Sequence, residues 1–327
     1  MQLPPRSGSS SKPFPTKRKL PIPSDSNAYY SGIQENSQKE LALRPREKLG
    51  FLNRAAITSE GDVNSDGLIV QRWRLCTVQQ VEDLKMLIGV SPLWISGILL
   101  STPIAVQNSM TVLQALAVDR RLGPSFKIPA GSVLVLVMFT ATIWLTFIDR
   151  FLFPTCQKLA GSTPTFLQRI GVGHFFIMLA MVVSALVESK RLHRSPHSNP
   201  DAASLSMSVL WLFPQLILVG IGEAFHYPGH LSYFYREYPE SLKSSATAVV
   251  GAMIGIAYYM SLAAVDMFRR RTTWLPQDLD KGRLDIVYWV LAAVGLTNFG
   301  YFIACACLYK PKEKTDDSDA GSGANLD

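Results

Sequence analysis

Read for hydrophobic and polar positions alone, the chain changes character near residue 86. Beyond it, long apolar runs recur at residues 87–106, 130–153, 170–187, 207–227, 246–265 and 286–308, separated by short polar and often basic segments. Each is close to the roughly twenty residues needed to cross a hydrocarbon core of about 30 Å. The runs are continuous rather than alternating, which excludes a membrane barrel and leaves helices, the spanning structure that satisfies its own backbone. Six in succession also exceed what the buried helices of a large soluble protein would supply. The pattern predicts an all-α membrane protein with six transmembrane helices. Just ahead of the first run, Val78, Val81, Leu84 and Ile88 recur at helical spacing, and Thr77 with Gln80 has the spacing of a capping box. Residues 77–88 therefore read as an amphipathic helix that lies at the membrane surface and leads into the first span.

Composition changes this picture only when it is split along the chain. Overall, 48% of the residues are hydrophobic and 17% charged. Residues 1–50, however, are rich in Ser, Pro, Lys and Arg and hold few large apolar groups, too few to offset chain entropy by burial. We read residues 1–75 as a polar, largely disordered tail and residues 311–327 as a second one. The first tail lacks the apolar core of a secretory signal. Its Lys17, Arg18 and Lys19 read as a solvated basic patch. Six spans put both termini on one side of the membrane. Lys and Arg near the spans divide evenly between the two sides, so the positive-inside rule supplies only a lean, from the basic tail, towards cytosolic termini. Cys76, Cys156, Cys305 and Cys307 show neither metal-ligand spacing nor a disulfide framework. Phosphate loop, dinucleotide fingerprint and nucleophile elbow are all missing, so the reading is no enzyme, no cofactor, no metal and no nucleic acid.

Candidate chemistry concentrates in two of the six runs. The fourth places Glu223, His226 and His230 where almost every neighbour is hydrocarbon. A carboxylate at the centre of a membrane helix costs roughly 2.5–3.5 kcal/mol on insertion scales, so it persists where it faces a bundle interior or a wet cavity. On a regular helix these three residues share one stripe. The same run carries Gln215 and two prolines, Pro214 and Pro228. The first run carries Pro92 and Pro103 and continues into Gln107, Thr111 and Gln114, which share a face. Interrupted helices at matching positions of two three-helix repeats are how many transporters build a midplane site. The four prolines are therefore read as helix breaks, and Glu223, Gln107, Thr111, Gln114, Gln215, His226 and His230 as lining a substrate pathway. Gly251 and Gly255 form a small-residue face suited to helix packing. Asp149 and Arg150 are expected to pair at the end of the second span, and His174 to be packed.

Several segments carry a family resemblance: CTVQQVEDLKMLIGVSPLW (76–94), FKIPAGS (126–132), IDRFLFP (148–154), LQRIGVGHFFIMLAMVVSALVESKRL (167–192), GEAF (222–225), FYREYPESLKSSATA (234–248) and WLPQDLDKGRLDIVYWVLA (274–292). In this order they resemble the second half of the plant nitrate/peptide transporter family, in the proton-coupled oligopeptide transporter branch of the major facilitator superfamily. KRKLPIPSD and FLNRAAI resemble the cytosolic linker between that family's halves. The resemblance implies spans equivalent to helices seven to twelve, cytosolic termini, residence in the plasma membrane, protons as the coupling ion, and Glu223 facing a central cavity. It also implies a small anionic or peptide-like solute, with nitrate the leading choice. Nothing here matches the family's E-x-x-E-R motif of the first helix. His230 stands where the family commonly has Gln, Ser232 where an acidic residue is common, and the first span lacks the His that some nitrate carriers use there.

These observations lead to a secondary active transporter lacking the first six helices, a truncated or partial product that self-association or pairing with a full-length carrier would complete. The alternative is a non-transporting six-span protein that associates with full-length carriers and modulates them. An intramembrane metal enzyme on Glu223, His226 and His230 is disfavoured because Pro228 interrupts the geometry and no nucleophile accompanies it.

Overall fold

The computed structural model describes Pro23, Ala28–Tyr30, Pro45, residues 49–59, 62–64 and 70, and then residues 75–194, 207–276 and 279–308. The expectations for residues 1–22, the basic patch at Lys17–Lys19 and the tail at 311–327 lie outside the described residues. Two compact units divide at Gly89 and Val90.

Within the first unit, the reading of residues 1–75 as a featureless tail does not hold for residues 49–59. A short 3-10 helix, Gly50–Ala56, is followed by Ile57, which pairs antiparallel with Tyr29. The Tyr30 N–H donates to the Ala56 carbonyl at 2.9 Å, and the Thr58 and Cys76 N–H groups donate to Ala28 and Ala55 at 3.0 Å each. Tyr29, Ala56, Ile57, Val78 and Val81 form a small apolar core beneath these bonds. The capping box is present: the Gln80 N–H donates to Thr77 Oγ1 at 3.2 Å and the Thr77 N–H to Gln80 Oε1 at 3.1 Å. Satisfying these two orphan donors starts helix α1, Val78–Leu116. Its 39 residues are about twice what a span needs, so the lead-in and the first span are one continuous helix.

The second unit holds the remaining elements. They are the hairpin β1 (Arg121–Leu122) and β2 (Phe126–Lys127), α2 (Val135–Phe147), a π-helical turn at Ile148–Leu152, α3 (Phe153–Ala160), α4 (Phe166–His193), α5 (Phe213–Glu237), α6 (Ala246–Arg271) and α7 (Leu284–Leu308). Among the described residues six helical stretches are long and apolar enough to cross a membrane, in register with the six runs of the sequence. Local chemistry sets their ends. Thr165 and Gln168 form a full capping box for α4, Gly161 closes α3 at φ 69°, and Pro214 occupies the first turn of α5, where its missing N–H costs nothing. Lys190, Arg191 and His193 in the last turn of α4, and Arg269, Arg270 and Arg271 in that of α6, complement the carbonyl ends.

None of the four prolines breaks a helix. α1 runs through Pro92 and Pro103, α5 runs through Pro228, and Pro214 begins α5. Each interior proline removes one backbone bond, a loss the neighbouring helices of a bundle can absorb. α5 is the most enclosed span, 61% buried, against 22% for the spans built on α2, α6 and α7. It packs along α4 and α2, and α4 packs in turn along α7. Close approach depends on glycine: a Cβ on Gly173 would lie 2.6 Å from His226 Cβ, and one on Gly220 would lie 2.7 Å from the Val137 carbonyl of α2. At one end, the loop at Asp119 bridges Ser208 through bonds of 2.9 and 2.8 Å to Met207 and Val209. Asp149 and Arg150 do not pair; both are exposed, and no ion pair joins them among the described residues.

Candidate functional site

The polar residues of α1, α4, α5 and α7 sort into three groups rather than one stripe.

The first group is a buried network. Gln114 of α1 donates from Nε2 to Glu188 Oε2 at 2.7 Å, and its Oε1 accepts from Gln215 Nε2 and from the Tyr288 hydroxyl, each at 3.2 Å. Arg191 binds Glu188 through Nε at 3.0 Å and through a terminal nitrogen at 2.8 Å, and its other terminal nitrogen reaches Asp280 in the α6–α7 connection. Glu188 is wholly buried. A bidentate guanidinium–carboxylate pair answers the cost of burying both charges. About two turns earlier on α1, Gln107 donates to Ser184 at 3.0 Å. Gln107, Thr111, Gln114 and Gln215 are all fully buried between helices, so the structure assigns them to helix packing rather than to an open pathway wall. Glu188 and Arg191 were not singled out from the sequence. Their signal was an i,i+3 opposite-charge pair at the very end of an apolar run.

The second group is aromatic and imidazole. His174 of α4 is buried, stacked on Phe302 at 4.6 Å and Phe299 at 5.9 Å between ring centres. Its Nδ1 lies 2.9 Å from the Ile170 carbonyl and its Nε2 3.2 Å from Ser96 Oγ. His226 and His230 of α5 are fully buried, with their Nδ1 atoms 3.2 Å apart. Asn298 of α7 donates to the Ser96 carbonyl at 3.0 Å and closes the cluster. Among the described residues no group of three or more His, Cys, Asp or Glu side chains is placed to hold a metal ion.

The third group is the part of α5 that stays open. Glu223 is half-buried and makes no hydrogen bond or ion pair among the described residues. The next turn presents Tyr227, within electrostatic reach of Glu223, of Ser101 on α1 and of Tyr258 on α6. Asn108 of α1 meets the Tyr258 hydroxyl at 3.5 Å. Glu223 thus differs from His226 and His230: His226 is enclosed against Gly173 of α4 and His230 against Gly97 of α1, while the carboxylate stays half-buried beside Tyr227. Gly251 and Gly255 of α6 have nothing within 4 Å of where a Cβ would stand. Among the described residues nothing meets that face at these two positions, and close helix contacts fall at Gly173, Gly220 and Gly222.

Six long apolar helices with a polar interior and a half-buried carboxylate in one of them define a polytopic membrane protein. The signature of the PTR2 domain, POT family, matches residues 31–279. The chain belongs to the POT family. It is 46% identical over 312 residues to Protein NRT1/ PTR FAMILY 2.6 of Arabidopsis thaliana, covering 95% of this chain and 54% of that one. It is 48% identical over 301 residues to Protein NRT1/ PTR FAMILY 2.7 of the same plant, covering 91% and 54%. The chain therefore spans about half the length of these relatives. In fold it is similar to an auto-inhibited POT family peptide transporter of known crystal structure, at a TM-score of 0.54 and 16% identity, over 72% of this chain and 43% of that one.

Proposed function

We propose that this chain forms one wall of a secondary active, proton-coupled solute carrier, equivalent to helices seven to twelve, with both termini in the cytosol and the plasma membrane as its site. The single observation that carries this reading is Glu223, a half-buried carboxylate in the most enclosed span that has no hydrogen-bond or ion-pair partner among the described residues. A carboxylate kept in a membrane helix without a partner is best accounted for by water or by a group on an opposing wall. Glu223, with Tyr227, Ser101 and Asn108 beside it, then faces the solute, and a second six-helix set supplies the opposite side. That set is contributed in the same polypeptide, by a second copy or by a full-length carrier. The solute is a small anion or a peptide-like molecule, nitrate being the first to test. The rest of the polar interior holds the wall rigid, so that it moves as one body when access alternates.

The test is uptake into proteoliposomes carrying the protein as purified from its native membrane. Labelled nitrate and a labelled dipeptide are offered with and without an inward proton gradient. Accumulation that collapses with a protonophore, and whose pH profile changes in Glu223→Gln, is expected. Uptake indifferent to the gradient, or identical pH profiles for both proteins, contradicts the reading.

A further inference from the structure

The tautomers of the buried imidazoles follow from their partners. A carbonyl oxygen only accepts, so the 2.9 Å contact from His230 Nδ1 to the His226 carbonyl places a proton on His230 Nδ1. That same N–H faces His226 Nδ1 at 3.2 Å, which must then be a bare acceptor, leaving the His226 proton on Nε2. By the same reasoning His174 carries its proton on Nδ1, against the Ile170 carbonyl, and accepts from Ser96 on Nε2. The pair on α5 therefore has two bare basic nitrogens. One is His226 Nδ1, which already faces the N–H of its neighbour. The other is His230 Nε2, fully enclosed, without a hydrogen-bond partner, and 2.8 Å from where a Cβ on Gly97 of α1 would stand. Met253 of α6 closes the same point from the other side, its methyl 2.3 Å from that position.

We propose that His226 and His230 form a proton-binding site inside the bundle, and that taking up one proton is incompatible with the closed α1–α5 seam. A proton added to the lone pair of His226 Nδ1 sets two N–H groups against each other across 3.2 Å. A proton added to His230 Nε2 puts a charged donor where no acceptor is within hydrogen-bond distance among the described residues. Either way the rings must part, and the seam at Gly97 and Met253 must open to give the new N–H a partner. The neighbours offer no other outlet. α4 presents His174, held by Ile170 and Ser96, and lower down Arg169, a cation; α7 presents Asn298, α1 presents Ser96 and Gly97, and α6 presents Met253. Glu223 lies in the preceding turn of α5, and Tyr227, next in sequence to His226, has its ring centre 4.0 Å from the His226 ring. The site is separate from Glu223, and it stands or falls independently of whether the chain transports.

The experiment is solution or solid-state NMR of the full chain in nanodiscs, labelled with 15N-histidine, read through ring proton–nitrogen correlations between pH 8 and pH 5. A spin-label pair at Ile95→Cys and Leu231→Cys, in a background without other cysteines, reports the α1–α5 separation. Near pH 8, His230 is expected as the Nδ1–H form and His226 as the Nε2–H form. On acidification both sets of signals should change in one joint step, together with a broadening of the Ile95–Leu231 distance distribution. His230→Gln keeps a donor for the His226 carbonyl but has no basic nitrogen, and should abolish the pH-dependent part of that broadening. Other tautomers at pH 8, separate titration of the two rings, or a seam that opens equally in His230→Gln would each overturn the proposal. Should that variant fail to fold, the tautomers and joint titration of the unmodified protein decide alone.

Discussion

Replacing Glu188 with alanine should be among the most damaging single changes in the second unit. Glu188 is fully buried, and the Arg191 side chain is only 3% exposed. Removing the carboxylate takes both of its bonds from the guanidinium, leaves it the ion pair with Asp280, whose side chain is 37% exposed, and orphans the Gln114 donor. Breaking one partner out of a buried ion pair costs about 3–5 kcal/mol. The orphaned amide alone accounts for about 1–3 kcal/mol of that range. An interhelical hydrogen bond without charge averages about 0.6 kcal/mol in a membrane, so the ion pair dominates the loss. The assay is reversible unfolding in mixed micelles titrated with SDS, followed by far-UV circular dichroism. The double variant Glu188→Leu with Arg191→Met removes both charges at once and should recover most of the stability lost in Glu188→Ala. A loss under about 1 kcal/mol for Glu188→Ala, or a double variant as unstable as the sum of its singles, would refute the idea that Glu188 and Arg191 act as a mutually dependent buried pair.

Four further outcomes follow from the same geometry. Gln107→Leu should cost about 0.6 kcal/mol in the same assay, because it removes a bond to the neutral Ser184 hydroxyl. Gly173→Ala, whose new methyl would meet His226 Cβ and the Gly222 carbonyl, should cost about 1–3 kcal/mol, while Gly251→Ala, in open space, should stay within about 0.5 kcal/mol. Glu223→Gln should leave the unfolding midpoint within experimental error and act on uptake alone, since the carboxylate holds no partner among the described residues. Asp285 holds the exposed Arg283 guanidinium above its already high ordinary value. A cation with a raised folded value adds stability below its unfolded value and loses it only above the folded one, both far beyond pH 9. Arg283→Gln should therefore shift stability by the same small amount at every pH from 7 to 9.

The six spans could be read from the sequence because continuous apolar runs of this length have few other uses, and the Thr77 and Thr165 ends because a capping box is local chemistry. What depended on neighbours could not. Gln107, Thr111 and Gln114 read as one face of the first span, but which helices close over that face is set by α4 and α7 residues far away in the chain. Prolines read as breaks because each removes a bond, yet the surrounding packing keeps α1 and α5 continuous. Gly251 and Gly255, like Gly173 and Gly222, are glycines within apolar helices; only the fold shows that the second two meet another helix's backbone. The pairing of Tyr29 with Ile57 bridges residues nearly thirty apart in a stretch whose composition alone looks polar, so composition concealed it. Glu223 was found from sequence because a lone carboxylate in hydrocarbon stands out whatever its partners are.

The most direct test of the account is the water accessibility of α5 in membranes. Single cysteines placed at Glu223, His226 and Gln215, in a background without Cys76, Cys156, Cys305 and Cys307, are exposed to a charged, membrane-impermeant thiol reagent in native-like vesicles. The account predicts modification at position 223 at a rate at least tenfold above that at 226 or 215. No reaction at 223, or equal rates at all three positions, would mean that this face of α5 meets lipid or solid packing rather than a solute pathway.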